Sequence, residues 1–308
     1  MLVPTSREPE CITIPDPEFQ PPFPFSMRSP LRWFRRRSEF TLQTARRLEL
    51  EAEFSRFLGK PVYLVPASAK GGYDQIYHAM ENGHHFAVVR VNSPHKTQKD
   101  PVLPEDPAVP LRDTERLDLE WNAYTKLFPL GLSPEPIWRT KDAIACSWVR
   151  WRRASRMLVK RREMAWPILE RALDAIRRMH AAGVIHLDLN TGNFLVQKTG
   201  PGISIIDFEF GPRPWLNEQQ QMAFDYLLLI NDFVKPRRGG TVILADLDRL
   251  YEVLERTVPA QVRAADLGFS LKRLKRMAAE PTLRDMLERV FPRLNEGAAS
   301  VAADPAKD

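Results

Sequence analysis

Residues 179–211 read MHAAGVIHLDLNTGNFLVQKTGPGISIIDFEFG, and the rest of the chain is organised around this stretch. His186 and Asp188 are followed by Asn193, and Asp207 comes after two short apolar runs that a Gly-Pro-Gly turn separates. Two such runs predict a β-hairpin that returns Asp207 to the side of Asn193. Because Mg²⁺ prefers carboxylate and amide oxygens, Asn193 and Asp207 are the candidate metal ligands.

Helical patterns surround this stretch. Between Pro167 and Ala182 the apolar residues form a wide stripe at helical spacing, and Gly183 follows where helices commonly end. Further helices are predicted at 218–234, 245–256 and 271–291.

The upstream part of the chain has strand patterns instead. Strands are predicted at 62–65, 74–80, 86–91, 137–140 and 143–149, with a glycine-containing turn at 68–72 and a tight turn at 81–83. Helices are predicted at 41–58 and 116–128. The proline-rich segment 93–113 is expected to be a mobile insert.

Together these motifs resemble the protein-kinase-like superfamily over roughly residues 61–234. HLDLNTGN, the hairpin and the ending Ile-Ile-Asp-Phe correspond to its catalytic loop and metal-binding strand end. The resemblance implies an α+β, bilobal fold with a small antiparallel β-sheet N-lobe and a mainly helical C-lobe. We expect a basic, Pro-rich, flexible arm at 1–40, the N-lobe with its leading helix at 41–148, the C-lobe at 149–296 and a disordered tail at 297–308.

The resemblance also implies roles for individual residues. Asp188 is expected to act as the base or to orient the acceptor hydroxyl, and His186 to fix the backbone of the catalytic loop. Asn193 and Asp207 are expected to hold Mg²⁺. Asp225 resembles the helix aspartate that steadies this loop, although a surface position is the alternative.

On the nucleotide side, Arg90 stands where kinases have the lysine that reaches the phosphates of ATP, and Glu120 is its candidate partner. An arginine binds phosphate with two donors, but its planar fork does not replace an ammonium group in geometry. In a second interpretation Lys70 binds the phosphates in place of Arg90. In a third the protein binds the phosphates only weakly. The other candidate nucleotide-binding residues are Gly71 and Gly72 in the turn and Trp148 and Val149 in the hinge.

Departures from the protein-kinase pattern narrow the choice of family within the superfamily. Glu209 stands in the place of the glycine of Asp-Phe-Gly, and Asn190 stands in the place of a lysine. These features resemble the small-molecule and lipopolysaccharide kinases, including the bacterial family that phosphorylates Kdo or heptose in the lipopolysaccharide inner core. Glu209 is either a further metal ligand or a salt-bridge partner.

The chain carries a net charge of +6, which predicts attraction to an anionic partner. Segment 27–37 combines five arginines with Trp33 and Phe34, a composition suited to an anionic membrane surface, although a solvated tail or a packed helix explains it equally well. A second basic run follows the hinge. It is either a solvated face or the site of an anionic acceptor, with the candidate substrate residues Arg150, Arg152, Arg153 and Arg156.

The remaining composition favours a cytoplasmic protein, and the family resemblance implies a peripheral position at the inner membrane. No apolar run approaches the ~20 residues that cross a bilayer, and the N-terminus lacks the order of a secretory signal. Cys11 and Cys146 are too few for a disulfide scaffold or a metal cluster.

The sequence therefore predicts an ATP- and Mg²⁺-dependent kinase that acts on a sugar hydroxyl of a lipopolysaccharide-core-type glycolipid. An atypical protein serine/threonine kinase is the second hypothesis, and missing peptide-docking elements argue against it. A nucleotide-binding pseudokinase or membrane-associated scaffold is the third, because of Arg90. No nucleic-acid partner is expected, since no recognition motif accompanies the basic charge.

Overall fold

A computed structural model describes residues 30–67, 74–92, 103, 105–271 and 274–295, with the side chains of 30–43, 113 and 275–276 left out. The predictions for Lys70, Gly71, Gly72 and the side chains of segment 27–37 lie outside this description. The chain divides into two compact units, 1–47 and 48–308, and the second contains both lobes.

The predicted strands and helices occur in the predicted order, and the structure adds several short elements between them. The strands are β1 (Tyr63–Pro66), β2 (Asp74–Glu81), β3 (His84–Asn92), β4 (Ala108–Pro110), β5 (Pro136–Arg139), β6 (Ala143–Ser147), β7 (Arg152–Arg153), β8 (Phe194–Val196), β9 (Ile203–Ile205) and β10 (Phe210–Pro212). The α-helices are α1 (Pro30–Leu58), α2 (Asp113–Leu127), α3 (Ala154–Lys160), α4 (Ala165–Ala181), α5 (Glu218–Phe233), α6 (Gly240–Leu244), α7 (Leu247–Thr257), α8 (Ala260–Arg263), α9 (Lys275–Ala278) and α10 (Pro281–Val290). Short 3₁₀ turns lie at Phe128–Leu130, Arg162–Met164 and Pro236–Arg238.

The N-lobe is a five-stranded antiparallel sheet with the order β1-β2-β3-β6-β5. Asn82 and Gly83 connect β2 to β3 with φ values of 49° and 77°, as a tight hairpin turn requires, which confirms the predicted turn. One face of the sheet packs against α1. There Phe54 is fully buried, with its ring centroid 5.0 Å from that of Trp138.

The C-lobe is built around α4, whose buried residues follow the predicted stripe. Gly183 ends this helix with φ 66°, and its N–H donates to the carbonyl of His180 at 2.9 Å. The single helix predicted at 271–291 is wrong. The chain forms α9 and α10 instead, because Pro281 is tolerated in the first turn of a helix but not in its interior.

Two further boundaries differ from the sequence prediction. Helix α1 begins at Pro30, well before the predicted start at Thr41. Part of the predicted mobile insert forms β4, which pairs antiparallel with β10, so that Val109 lies opposite Gly211. Leu111 N–H also donates to the carbonyl of Glu209 at 2.9 Å, so backbone bonds tie this part of the insert to the chain that follows Asp207.

The protein therefore has the α+β, bilobal, protein-kinase-like fold that the sequence predicted. Two separate groups of buried apolar residues serve as the cores of the sheet lobe and the helical lobe. In the described residues we find no helix with the length and apolar character that a membrane span requires.

Candidate active site

The hairpin of β8 and β9 brings the two candidate metal ligands to the same edge. Phe194 lies opposite Ile205, and the N–H of Ile206 donates to the carbonyl of Asn193 at 3.0 Å. Asn193 therefore precedes one strand and Asp207 follows the other at the same end of the hairpin.

The loop before β8 is closed by its own side chains. Asn190 Nδ2 donates to the carbonyl of Asp188, and Asn190 Oδ1 accepts from the N–H of Gly192, at 3.0 and 2.8 Å. Asn193 Nδ2 donates to the same Asp188 carbonyl at 3.0 Å. Asn190 thus uses both atoms of its side-chain amide to close the loop.

Asp225, on α5, accepts hydrogen bonds at the start of the loop. The N–H groups of His186 and Leu187 donate to its two carboxylate oxygens at 2.9 and 2.7 Å. His180 Nε2 lies 3.0 Å from Asp225 Oδ2. Leu187 has φ 63°, an unfavourable value for a residue with a side chain, and the bond to Asp225 holds it there. Asp225 is completely buried, so its surface alternative is wrong.

His186 connects the loop to the strand that ends at Asp207. Its Nε2 lies 3.0 Å from the carbonyl of Ile206, and its Nδ1 accepts from the N–H of Asp188 at 3.3 Å. These contacts fit a neutral ring with its proton on Nε2. Phe208 packs on the same ring with a centroid distance of 4.6 Å. The buried His186 side chain therefore contacts the loop and its neighbours.

Arg90, on β3, is surrounded by four carboxylates. Its Nη1 lies 2.7 Å from Glu120 Oε2 and 2.8 Å from Asp207 Oδ1. Its Nη2 lies 3.0 Å from Asp74 Oδ2 and also contacts Glu209 Oε1. The Nε atom is buried and has no hydrogen-bond partner among the described residues. All of the terminal donors of this guanidinium group thus face carboxylates.

A second arginine extends this network. Arg116 Nη2 donates to Asp74 Oδ1 at 2.7 Å, and Arg116 Nη1 donates to the carbonyl of Leu111 at 3.1 Å. Asp74 therefore bridges β2 to both Arg90 and α2. The cluster contains four carboxyl groups and two guanidinium groups, so full ionisation of the acids would leave an excess of negative charge.

The pKa values of the two acids that flank Phe208 move in opposite directions. Desolvation opposes the ionisation of Asp207, but Arg90 and the neighbouring donors hold its pKa below the usual range. Burial, together with the charge of Asp207, raises the pKa of Glu209 to about 8 despite Arg90. Glu209 contacts Arg90 in the structure, as its salt-bridge interpretation expects.

Helix α2 presents Glu120 to this cluster from a buried position. Glu120 is only 1% exposed, and Tyr124 Oη donates to its Oε1 atom. Burial raises the pKa of Glu120, and the charge of Arg90 opposes this shift. The N–H of Asp207 also donates to Glu120, at 3.3 Å, and supports the positive φ of 78° at Asp207. Glu120 thus joins α2 to both Arg90 and Asp207.

The hinge segment directly follows β6. The N–H of Trp148 donates to the carbonyl of Phe86 at 2.8 Å. The Trp148 ring packs against His78 and His85, at centroid distances of 4.8 and 5.2 Å. Val149 is half-buried beside it. The indole side chain therefore packs on the sheet.

The basic run after the hinge has one member in contact with the catalytic loop. Arg153 Nη1 donates to the carbonyl of Gly192 at 2.9 Å, and its charge contributes to the lowered pKa of Asp207. Within the described residues, no hydrogen bond or ion pair is found for the other three exposed arginine side chains, Arg150, Arg152 and Arg156.

The oxygen atoms of this site fit Mg²⁺. Asn193 uses its amide nitrogen within the loop, which leaves Oδ1 as the atom that can bind a cation. The Asp207 side chain is 36% exposed and supplies a carboxylate with a lowered pKa. Carboxylate, amide oxygen and water are the ligands that Mg²⁺ prefers. Among the described residues, no group of three or more histidine, cysteine or acidic side chains forms a metal cluster.

Sequence reasoning missed several members of the site. Asp74 and Arg116 were not singled out, although an acidic residue two positions after a glycine-containing turn is a usable signal. Asp232 was also missed. It lies seven residues after Asp225, so both lie on the same face of one helix. Its Oδ2 atom accepts hydrogen bonds from the backbone and the hydroxyl of Thr191.

The fold and the site define a protein of the protein-kinase-like class. Residues 147–229 match the model of the lipopolysaccharide kinase (Kdo/WaaP) family. The match includes the catalytic loop, Asp207 and Asp225, and it confirms the resemblance that the sequence predicted. No match was found among curated proteins.

Proposed function

We propose that the protein is an ATP- and Mg²⁺-dependent phosphotransferase that acts on a sugar hydroxyl of a lipopolysaccharide-core-type glycolipid. The single observation that carries this proposal is the catalytic loop, with Asn193 and Asp207 at one hairpin edge, inside a segment that matches a lipopolysaccharide kinase family.

In this proposal Asp188 accepts the proton of the acceptor hydroxyl or orients that hydroxyl. Asn193 Oδ1 and Asp207 hold Mg²⁺, which when bound neutralises charge on the phosphates of ATP. Arg90 contacts these phosphates after a carboxylate partner withdraws, and Glu120 keeps the guanidinium group in place. Trp148 and Val149 form the hinge beside the adenine, and Lys70, Gly71 and Gly72 belong to the turn that covers the phosphates.

The basic run supports an anionic acceptor. Arg153 lies against the catalytic loop, and Arg150, Arg152 and Arg156 are exposed beside it. Phosphorylated or carboxylated sugars carry the complementary charge. The same proposal includes contact of segment 27–37 with the anionic inner face of the membrane, the arm at 1–40, the lobes at 41–148 and 149–296, and the tail at 297–308.

Purified protein incubated with ATP, Mg²⁺ and core glycolipid should add the mass of one phosphate to the glycan. Replacing Asp188 by Asn should lower the rate about 10²- to 10⁴-fold, which is the usual contribution of a general base. Absence of transfer to any sugar or lipid acceptor would contradict the proposal, as would near-normal activity of the Asp188→Asn variant.

A nucleotide-binding pseudokinase is the second candidate, and the occupied donors of Arg90 favour it. It predicts nucleotide binding without phosphate transfer to any acceptor. An equilibrium binding measurement beside the transfer assay separates the two candidates.

A further inference from the structure

Helix α5 presents a second buried aspartate to the catalytic loop. Asp232 is 5% exposed and lies two helical turns beyond Asp225. Its Oδ2 atom accepts from the N–H of Thr191 at 2.8 Å and from the Thr191 hydroxyl at 2.5 Å. Lys235 Nζ donates to the other oxygen at 2.5 Å. Both carboxylate oxygens of Asp232 are therefore engaged.

The two aspartates hold opposite ends of the same loop. Asp225 accepts from His186 and Leu187, and Asp232 accepts from Thr191. The residues between these anchors include Asp188. The carbonyl of Thr191 also accepts from the N–H of Ser155 at 2.8 Å, so its backbone is fixed on two sides. Thr191 is fully buried, and Asn193 follows it after a single glycine.

The electrostatics of Asp232 suit an anchor. Burial opposes its ionisation, but the hydrogen bonds from Lys235 and Thr191 lower its pKa below the usual value. A carboxylate that stays ionised forms shorter and stronger hydrogen bonds with its donors than a neutral acceptor does. The downstream end of the loop is thereby tied to α5 by charge-assisted bonds.

We propose that Asp232, supported by Lys235, is a positioning residue for phosphoryl transfer, because it fixes the end of the catalytic loop between Asp188 and Asn193. This inference rests on the proposed kinase function and adds a second anchor to the one at Asp225. A displacement of about 1 Å in such a loop can cost on the order of 10²-fold in rate without loss of binding.

The test compares Asp232→Asn and Thr191→Val with the conservative variant Thr191→Ser, which keeps both donors. Asp246→Asn is the control, because it removes another aspartate that accepts from a backbone N–H, that of Arg249, at the start of α7. Each folded variant is assayed for kcat, for the dissociation constant of a non-hydrolysable ATP analogue, and for hydrogen–deuterium exchange in residues 186–193.

Asp232→Asn and Thr191→Val should each lower kcat about 10- to 100-fold. They should change nucleotide affinity less than about threefold and speed exchange in the loop. Thr191→Ser and Asp246→Asn should match the wild type. The double variant Asp232→Asn/Thr191→Val should lose less kcat than the two single effects combined, because the two side chains share one interaction.

Unchanged loop exchange in Asp232→Asn and Thr191→Val would overturn the positioning proposal whatever the acceptor is. If the loop exchanges faster in these variants but the wild type transfers no phosphate, the anchor is supported and the kinase function is overturned. A variant that loses nucleotide affinity in parallel with kcat would also count against positioning.

Discussion

The catalytic loop and Arg90 are held by different kinds of interaction. Backbone N–H groups at both ends of the loop donate to Asp225 and Asp232. Arg90 is held by ion pairs to carboxylates from β2, from α2 and from the segment after β9. We expect the loop to keep these bonds when substrates bind. If a phosphate binds to Arg90, a carboxylate must first give up its contact with the guanidinium group. We therefore predict that the catalytic loop is preformed and that the carboxylates around Arg90 rearrange.

The largest expected effect is the loss of stability when the charge cluster loses Arg90, compared with the loss of an ordinary surface ion pair. Replacing Arg90 by Met leaves buried carboxylates without their cation, so the free energy of unfolding should fall by about 3–5 kcal/mol. The control Arg139→Met breaks an ion pair of 2.6 Å whose side chains are about half exposed, and it should cost about 1 kcal/mol or less. Urea denaturation of both variants checks the difference. Equal losses would contradict the charge-based account of Arg90.

The next effect concerns Glu209 and pH. Its pKa of about 8 lies above the ordinary 4.5, so between these values the folded chain binds a proton that the unfolded chain has released. The stability that this protonation contributes is complete below pH 4.5 and is lost as the pH rises towards 8. In Glu209→Gln the unfolding free energy should fall less steeply, by at most about 1.4 kcal/mol per pH unit.

Urea denaturation of the ligand-free protein at a series of pH values measures this slope. Titrating groups that do not interact with Glu209 behave alike in both proteins and cancel in the comparison. Parallel curves for the wild type and Glu209→Gln would mean that Glu209 is ionised in the cluster throughout this range.

The smallest expected effect is a change in KM when arginines of the basic run after the hinge are replaced. Arg152 and Arg153 are consecutive in β7 and point to opposite faces, and Arg153 donates to the catalytic loop. Arg153→Ala should raise KM for an anionic acceptor about tenfold, or about 1.4 kcal/mol. Arg152→Ala should change it less than about twofold. Steady-state kinetics with both variants tests this, and equal effects would favour a solvated basic face.

The catalytic loop could be predicted from the sequence because its functional residues lie close together in the chain. The spacing of His186, Asp188 and Asn193 and the turn between β8 and β9 predict the hairpin edge from residues within one short stretch. The end of α4 at Gly183 and the β2–β3 turn followed equally local rules. Asp225 lies 39 residues beyond His186, and only family resemblance connected it to the loop.

The charge cluster was only partly readable, because its members are distant in sequence. Arg90 meets Asp207 and Glu209 across separations of 117 and 119 residues, and no periodicity marks such contacts. Sequence reasoning named Glu120 only as the candidate partner of Arg90. It is buried because Arg90 offsets part of the cost of burying its charge. Asp74 pairs with Arg116, which sequence reasoning had used only as the start of a helix.

The most direct test of this account is a structure of the complex with Mg²⁺ and a non-hydrolysable ATP analogue. We predict that Glu209 no longer contacts Arg90 Nη2, while Asp225 still accepts from His186 and Leu187 and Asp232 still accepts from Thr191. A complex in which Arg90 keeps all of its carboxylates, or in which the loop leaves either aspartate, would contradict it.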